Sequence, residues 1–259
     1  MRKQPTHFNT RQDLINHVAH LIETDNQSPV STKLGGIQAA KEQLDAAHIQ
    51  DYARSRNHLD GAVTQLSPYI RHGVLSLESV RRWALAQYPG KEIEKFLQEL
   101  TWRHFWQAHY YKLGNNIWQD QEPYKTGWHA KDYCPTLPAD IRDGSTGVAV
   151  IDHFAHTLVR DGYLHNHARM YLAAYIIHWR RISWQAGAQW FLEHLLDGDP
   201  ASNNLSWQWV ASTFSYKPYI FNLANVRKYA GNNLDTSSEN NQILDASYEK
   251  LTQQLFPNL

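Results

Sequence analysis

Apolar residues recur along most of the chain at steps of three and four positions, the spacing that places them on one face of an α-helix. The strongest pattern lies between residues 96 and 113 and stops at Gly114. Its apolar and aromatic positions are Phe96, Leu100, Trp102, Phe105, Trp106, His109, Tyr110 and Leu113. The sequence contains no convincing alternating strand pattern and no repeat of about 20–50 residues. The pattern therefore predicts an all-α fold.

Residues that start and stop helices bound the other predicted elements. Ser76 is predicted to cap a helix that carries Leu77 and Tyr88 and ends at Pro89-Gly90. The helix at about 166–181 is apolar on most sides, so we expect it to be buried. Further helices are predicted at 14–22, 37–44, 151–162 and 184–196, and on a short segment around 207–209.

Breaker residues divide the chain into regions. A polar cluster with proline at 25–29 follows the first helix, and repeated Pro and Gly residues between 114 and 147 predict a long surface excursion. After Gly231 the sequence is rich in Asn, Ser, Asp and Gln, which predicts a weakly specified end. The predicted regions are an N-terminal helical extension at 1–34, an all-α domain at 35–231, and a C-terminal tail at 232–259 with one helix at 243–255.

Charge and cysteine content limit the possible functions. The 25 basic and 25 acidic side chains give no net field that would attract nucleic acid, so DNA binding would need a local patch. The single Cys134 excludes a disulfide framework and a cysteine-ligated zinc or iron–sulfur cluster, and it favours a reducing compartment. No stretch approaches the roughly 20 apolar residues of a membrane span. We therefore expect a soluble, cytoplasmic protein.

Polar side chains and tryptophans gather between 162 and 209, where we expect the chemistry. Asp197 and Asp199 can cap the next helix, pair as acid and base, bind a metal or hold a cofactor. Capping is the default interpretation, and the metal interpretation lacks oxygen donors. Arg169 would share a helix face with His165 and Asn166, and an arginine there requires an anion or a carboxylate. The tryptophans are either ordinary core or stacking platforms for bases.

Several segments occur in an order that resembles a known family. The main ones are Glu99-Leu100-Thr101-Trp102-Arg103, His165-Asn166-His167-Ala168-Arg169-Met170, and Asp197-Gly198-Asp199 through Asn203 to Trp207-Gln208-Trp209. Shorter matches are Tyr52-Ala53-Arg54, Leu66-Ser67-Pro68-Tyr69, and Gly147 with Asp152. Over about residues 35–229 the chain closely resembles the flavin-binding domain of DNA photolyases and cryptochromes. The α/β antenna domain that precedes this domain in the family has no counterpart in the sequence.

The resemblance implies an FAD site. Asn203 would face the flavin N5, Arg169 would pair with a carboxylate beside the flavin ring, and Arg103 would meet the phosphates. The implied cofactor-binding residues are Tyr52, Thr64, Ser67, Arg103, Asn166, Arg169, Asp197, Asp199 and Asn203. The family's Thr-Ser-Arg run reads Val63-Thr64-Gln65 here, so one hydroxyl and one cation are lost on the phosphate side. The hydroxyl of Ser67 is expected by default to cap a helix.

The same resemblance implies a lesion side and an electron route. The cavity for a base flipped out of DNA would be formed by Glu99, Trp102, Asn166, Met170 and Trp209. Photolyases for the other major ultraviolet lesion, the (6-4) product, use histidines at two of these places, so this chain resembles the enzymes for cyclobutane dimers. Electrons would pass to the flavin through Trp184 and Trp207. Trp128 is selected as the outer member, with Tyr133 or Trp118 as alternatives.

The resemblance therefore predicts a light-driven lyase that splits cyclobutane pyrimidine dimers in DNA by electron transfer from reduced, anionic FAD. Neutral net charge favours single-stranded substrates, in which flipping a base costs less. Neither an iron–sulfur cluster nor an antenna chromophore is expected. The alternatives are a cryptochrome-like blue-light photoreceptor without repair activity and a flavin-binding remnant without catalysis. The lesion-side residues favour repair, because a sensor needs none of them.

Overall fold

The computed structural model describes residues 4–22 and 30–259. The α-helices are α1 (Arg11–Leu21), α2 (Gly36–Asp45), α3 (Tyr52–Ser55), α4 (Ser67–Arg71), α5 (Leu77–Gln87), α6 (Glu94–Leu113), α7 (Ala139–Arg142), α8 (Ala149–Asp161), α9 (Asn166–Ala174), α10 (Trp184–His194), α11 (Pro200–Ala211), α12 (Leu223–Tyr229) and α13 (Tyr248–Leu255). Within the described ranges there is no named strand, and an isolated bridge joins Cys134 to Ile182. The all-α prediction is confirmed.

The chain divides into two units, residues 1–32 and 33–259. In the first unit Thr10 caps α1, because its side chain accepts from Asp13 N while the Asp13 carboxylate accepts from Thr10 N. The predicted breaker at 25–29 lies outside the described residues. Among those that are described, no helix is long and apolar enough to cross a membrane.

The main core of the second unit is built by α8, α9, α10 and α11. α9 continues into a π-helical turn over Tyr175–Trp179, so the predicted buried helix at 166–181 is present with a change of helix type. Gly187 lets α10 and α11 approach closely, since a Cβ there would lie 2.2 Å from an atom of the Trp207 ring. This approach holds Trp207 in a fixed place beside the site described below.

A smaller core is formed by α2, α4, α5 and the first turns of α6. Ser76 caps α5 as predicted, because its hydroxyl oxygen accepts from Ser79 N. In turn, Ser79 Oγ accepts from Ser76 N. α6 departs from its prediction, because Phe96 is its buried residue and Trp102 is 48% exposed. The predicted face joins the smaller core only at its start, through Phe96 and Leu100, and further along Trp102 and Trp106 border an open cavity.

The prediction of a surface excursion at 114–147 describes most of the segment, whose residues are largely exposed or half-buried, but short helical turns and a few buried side chains anchor it to the core. The segment contains 3-10 turns at Gly114–Trp118 and Ala130–Asp132 besides α7. Its buried residues include Ile117, Thr126, Tyr133, Leu137 and Ile141. Distant side chains satisfy its backbone: Gln121 N donates to Gln208 Oε1 at 3.0 Å, and Lys125 N donates to Ser212 Oγ at 2.8 Å. These partners lie 87 residues away, so no local pattern announces them.

The tail at 232–259 is part of the second unit and packs on its other elements. Asn241 is fully buried and its side chain accepts from Val150 N at 3.0 Å, which ties the tail to the start of α8. Leu251 and Phe256 are buried as well. The helix expected at 243–255 is observed as α13, preceded by a short 3-10 turn at Gln242–Leu244. Buried contacts therefore fix a segment whose polar composition predicted a weakly specified end.

Candidate functional site

The centre of the site is an ion pair between Arg169 on α9 and Asp197 after α10. Arg169 Nη2 lies 2.8 Å from Asp197 Oδ2, and the Asp197 side chain is 4% exposed. Arg169 Nε also donates to the Leu164 carbonyl at 2.7 Å, which orients the guanidinium. Of the two partners expected for Arg169, an anion or a carboxylate, the structure shows a carboxylate.

The second carboxylate oxygen of Asp197 distinguishes this pair from a structural salt bridge. Burial acts to raise the pKa of Asp197, but the charge and hydrogen bond of Arg169 hold that pKa below its usual value. The carboxylate is therefore ionised. Its Oδ1 atom is buried without a hydrogen bond of ordinary geometry, although the Ser67 hydroxyl lies close enough to help lower the pKa of Asp197. A buried acceptor without a donor is costly. The site thus fits a ligand that carries an N–H or O–H donor.

Asp199 is the N-cap of α11. Its carboxylate accepts from the backbone amides of Ala201 and Ser202 and from Ser202 Oγ at 2.7 Å. Gln107 Nε2 donates to it at 2.7 Å, and Arg103 Nη2 lies 3.7 Å away. The capping interpretation is confirmed, and the cap also joins α11 to α6 on the wall of a cavity.

Two adjoining cavities share the residues of this centre. We call the first the carboxylate cavity; its volume is about 110 Å³. It is lined by Asp197, Asp199, Ser202, Asn203, Trp207 and other residues of α9–α11. The second, the hydroxyl cavity, has about 270 Å³ and is lined by residues that include Tyr52, Arg56, Thr64, Ser67 and Glu99. Both cavities are lined by Arg103, Asn166, Arg169 and Asp197.

The hydroxyl cavity collects the predicted phosphate-side residues and adds one that sequence reasoning missed. Tyr52, Thr64 and Ser67 line it together. Ser67 makes no capping bond at the start of α4, so the expectation that it caps a helix is wrong. Arg56 lines the same cavity, and its guanidinium lies 3.4 Å from Glu99. Its position four residues after Tyr52, on one helix face, was the available signal.

A third cavity of about 310 Å³, the tryptophan cavity, brings the predicted lesion-side residues together. Its lining residues are Glu99, Trp102, Trp106, Asn166, Met170, Ser206 and Trp209. Trp102 stacks on Trp106 with ring centroids 5.3 Å apart and an interplanar angle of 28°. Lys95 Nζ lies 3.0 Å from the Glu99 carboxylate, which also faces Arg56. Asn166 lines all three cavities, so it stands where they meet.

Two histidines flank Asn166 and are held by the backbone. His165 is the N-cap of α9, since its Nδ1 accepts from His167 N at 3.1 Å. Arg169 N donates to the His165 carbonyl one turn later, but of these residues only Asn166 and Arg169 line the cavities. Burial, followed by the charges of His167 and Arg169, lowers the pKa of His165 to about 4. His167 Nδ1 bonds the Asn57 carbonyl at 2.7 Å. Both histidines therefore serve structure.

The tryptophans predicted for an electron route lie in three settings. Trp207 lines that cavity. Trp184 is fully buried, its Nε1 donates to Asp120 Oδ1 at 2.6 Å, and Trp118 stacks parallel to it with centroids 6.3 Å apart at 7°. Trp128 lies in a different setting: its Nε1 donates to the Leu255 carbonyl, and the Arg181 guanidinium sits 3.7 Å from its ring centroid.

Comparison with known proteins agrees with the fold. The family model that describes the FAD-binding domain of DNA photolyase matches residues 96–239. The deoxyribodipyrimidine photo-lyase of Streptomyces griseus is 31% identical over 196 residues, which cover 73% of this chain and 41% of that protein. The one from Halobacterium salinarum is 30% identical over 202 residues, with 72% and 42% covered. The chain thus spans about two fifths of the length of these relatives.

Solved structures share the fold at lower identity. A bacterial class III photolyase from Agrobacterium tumefaciens superposes with a TM-score of 0.66 at 22% identity, covering 99% of this chain and 52% of that one. A cryptochrome from Synechocystis gives a TM-score of 0.67 at 22% identity, with 89% and 47% covered. At this identity the likeness establishes the fold alone.

Proposed function

The chain belongs to the photolyase and cryptochrome family through its FAD-binding domain, and we propose that it binds FAD and splits cyclobutane pyrimidine dimers in DNA under blue light. Bound FAD in its reduced anionic form supplies a light-driven electron for the dimer. The protein supplies the binding surfaces, the lesion cavity and a route by which the flavin is reduced. The proposed catalytic unit is the all-α region at 35–231, with 1–34 and 232–259 as flanking segments.

The observation that carries this proposal is the unpartnered Oδ1 of Asp197 beside Arg169. FAD offers donors of the required kind in its ring N–H and its ribityl hydroxyls. Arg169 opposite the same carboxylate keeps a positive charge near the ring, which favours an anionic flavin. The two cavities that share this pair give room for two parts of one long cofactor.

The hydroxyl cavity supplies the groups that hold a pyrophosphate. Arg103 and Arg56 provide cations, and Thr64 and Ser67 provide hydroxyl donors. Arg56 supplies a cation on the side where the Val63-Thr64-Gln65 segment lacks one. Charge-assisted bonds from guanidinium to phosphate are the stronger contacts of this set.

Asn203 is proposed to accept a hydrogen bond from the flavin N5–H. Its amide nitrogen already donates to the Ala188 carbonyl at 3.0 Å and to Asn204 Oδ1 at 3.1 Å. Both amide hydrogens are thus engaged, and the carbonyl oxygen is the group left for a ligand. An acceptor at this place matches a flavin that carries a proton on N5, which is the reduced form.

The tryptophan cavity is proposed to receive the flipped dimer. Trp102 and Trp209 present ring faces for stacking, and the Glu99 carboxylate can accept from the imide N–H of a thymine. Met170 and Asn166 line the wall that this cavity shares with the carboxylate cavity. The dimer would therefore lie next to the flavin, as electron transfer requires.

The electron route is proposed to run from Trp118 through Trp184 to Trp207. Trp118 is the better outer member, because its ring stacks parallel to the Trp184 ring and an electron can pass directly between the two. The Asp120 carboxylate at Trp184 Nε1 favours a positive charge on that indole. Trp128, the outer member predicted from the sequence, faces the Arg181 guanidinium, whose charge opposes oxidation of the ring. We therefore propose Trp118 in place of Trp128.

The decisive experiment uses purified protein reconstituted with FAD. A short single-stranded oligonucleotide with one thymine dimer is illuminated with the photoreduced protein, and thymine recovery is measured by chromatography with a dark control. We expect light-dependent recovery. Glu99→Gln should slow recovery at unchanged FAD content, whereas Glu94→Gln on the same helix, outside the three cavities, should not. Intact dimers with a photoreducible flavin would favour the photoreceptor alternative, and a protein without FAD would refute the proposal.

A further inference from the structure

A fourth cavity shares Trp209 with the tryptophan cavity. It has a volume of about 570 Å³, within the range of small-molecule sites, and exceeds the tryptophan cavity at about 310 Å³. We call it the C-terminal groove and define it by Trp209, Tyr216, Lys217, Tyr219, Tyr248 and Phe256. None of the roles proposed above uses it, except for the shared Trp209.

The groove is lined by aromatic rings that are open to a ligand. Tyr216 is 81% exposed and Tyr248 is 40% exposed, while Phe256 is buried. The Lys217 ammonium lies 5.5 Å from the centroid of the Tyr216 ring. Exposed aromatic faces next to a cation are the composition of a base-stacking surface with a phosphate contact.

Hydrogen bonds fix both walls of the groove. Ser215 Oγ lies 2.8 Å from the carbonyl oxygens of both Trp209 and Lys217, and its single proton bonds one of them, which holds the loop that carries Tyr216. α13, which carries Tyr248 of the groove, is held at its end because Trp128 Nε1 donates to the Leu255 carbonyl at 2.9 Å. Both walls are therefore preformed, and a ligand that binds there has little ordering cost to meet.

Trp209 lines both the tryptophan cavity and the C-terminal groove. It lines the tryptophan cavity with Glu99 and Trp102, and it lines the C-terminal groove next to Tyr219, whose ring centroid lies 5.7 Å away. A nucleotide next to a lesion in the tryptophan cavity would be within reach of the groove, because the two cavities share Trp209. A strand that continues past Trp209 can therefore enter the groove.

We propose that the C-terminal groove binds the unpaired base of a nucleotide adjacent to the dimer in single-stranded DNA. The base stacks on Tyr216 and Tyr248, and Lys217 contacts the phosphate. The identity of the neighbouring lesion cavity rests on the proposed function, whereas the groove's affinity for unpaired bases does not. In a duplex the adjacent base is paired and its faces are covered, so the groove selects single strands.

The test measures binding of a fluorescently labelled oligothymidine without any lesion, by anisotropy with the full chain. Tyr216→Ala and Tyr248→Ala should each weaken binding by about 5-fold to 150-fold, the range that corresponds to one lost base stack. Tyr216→Phe should restore it. The matched control is Tyr111→Ala, a tyrosine 92% exposed on α6 that lines none of the four cavities, and it should bind as the parent does.

A second substrate pair separates this proposal from the proposed function. A thymine-dimer dinucleotide has no neighbouring base, so Tyr216→Ala should repair it as the parent does while repairing the longer strand at a lower rate at limiting substrate. If the tyrosine variants bind oligothymidine and repair both substrates as the parent does, the proposal that the groove binds an unpaired base is refuted. Absence of any repair with tyrosine-dependent oligothymidine binding would leave the groove standing and refute the proposed reaction. Binding of a duplex with the same dependence on Tyr216 would overturn the single-strand assignment.

Discussion

Replacing Arg169 with Leu removes the cation from a carboxylate that is 4% exposed. Breaking a buried ion pair by removing one partner costs about 3–5 kcal/mol, since the other charge stays buried. The Arg169 side chain is 23% exposed, so we take the lower value of about 3 kcal/mol. At about 2–4 °C per kcal/mol for a chain of this length, the melting temperature should fall by about 6–12 °C.

The pH dependence gives the variant a second signature. In the parent the pKa of Asp197 is lowered, so its stabilisation is present above the unfolded pKa near 3.9 and is lost only as the pH falls towards the folded pKa. Without Arg169, the main group that offsets burial is lost, so the pKa of Asp197 should rise relative to the parent, although the Ser67 hydrogen bond and the Arg103 charge remain. Protonation then relieves the unpaired charge. The stability deficit of Arg169→Leu should therefore be largest near neutral pH and shrink as the pH falls.

The measurement is thermal unfolding of the cofactor-free protein by circular dichroism between pH 8 and pH 4.5. Cofactor is omitted because a bound ligand stabilises the folded state by mass action. The matched control is Arg82→Leu, which removes a surface ion pair with Glu78 and should leave the melting temperature nearly unchanged. A deficit that is absent, or that does not vary with pH, would show that Asp197 is solvated or held by another cation, and would remove it as the anchor of the site.

Three further variants test other parts of the structure. Trp118→Phe should slow photoreduction of the bound flavin in transient absorption and Trp128→Phe should not; the reverse result would restore Trp128 as the outer member. Gly187→Ala should lower the free energy of unfolding by about 1–3 kcal/mol in urea titrations, since its Cβ would lie 2.2 Å from the Trp207 ring; a gain in stability, the usual helical effect, would contradict this packing. Trp102→Ala should weaken binding of dimer-containing DNA at unchanged melting temperature, and unchanged affinity would place the lesion elsewhere.

Local signals account for the parts of the fold that could be predicted from the sequence. Ser76 followed by an apolar repeat predicted α5, and Asp199 before Pro200 predicted the start of α11, because a cap and a proline act on their own helix turn. Burial was harder to predict. The spacing in α6 is that of a buried face, yet Trp102 is exposed, since periodicity shows that a face exists and not what it contacts.

Long-range partners account for what the sequence could not show. Local reasoning established that Arg169 needs an anion or a carboxylate, but Asp197 lies 28 residues away, and only the family resemblance paired such residues beforehand. Arg56 was missed for a related reason. It belongs to no matched segment, and it joins the hydroxyl cavity through the folded position of α3 against α6, where it faces Glu99.

The charge balance and the exposed rings together point to one mode of strand binding. With 25 basic and 25 acidic side chains, attraction to phosphates can supply only a local contribution to affinity. Trp102, Trp209 and Tyr216 present exposed faces in the tryptophan cavity and the C-terminal groove. Stacking on such faces requires unpaired bases and tolerates their sequence. Affinity for oligothymidine should therefore fall less steeply with salt than it does for a basic DNA-binding protein, because fewer counterions are released.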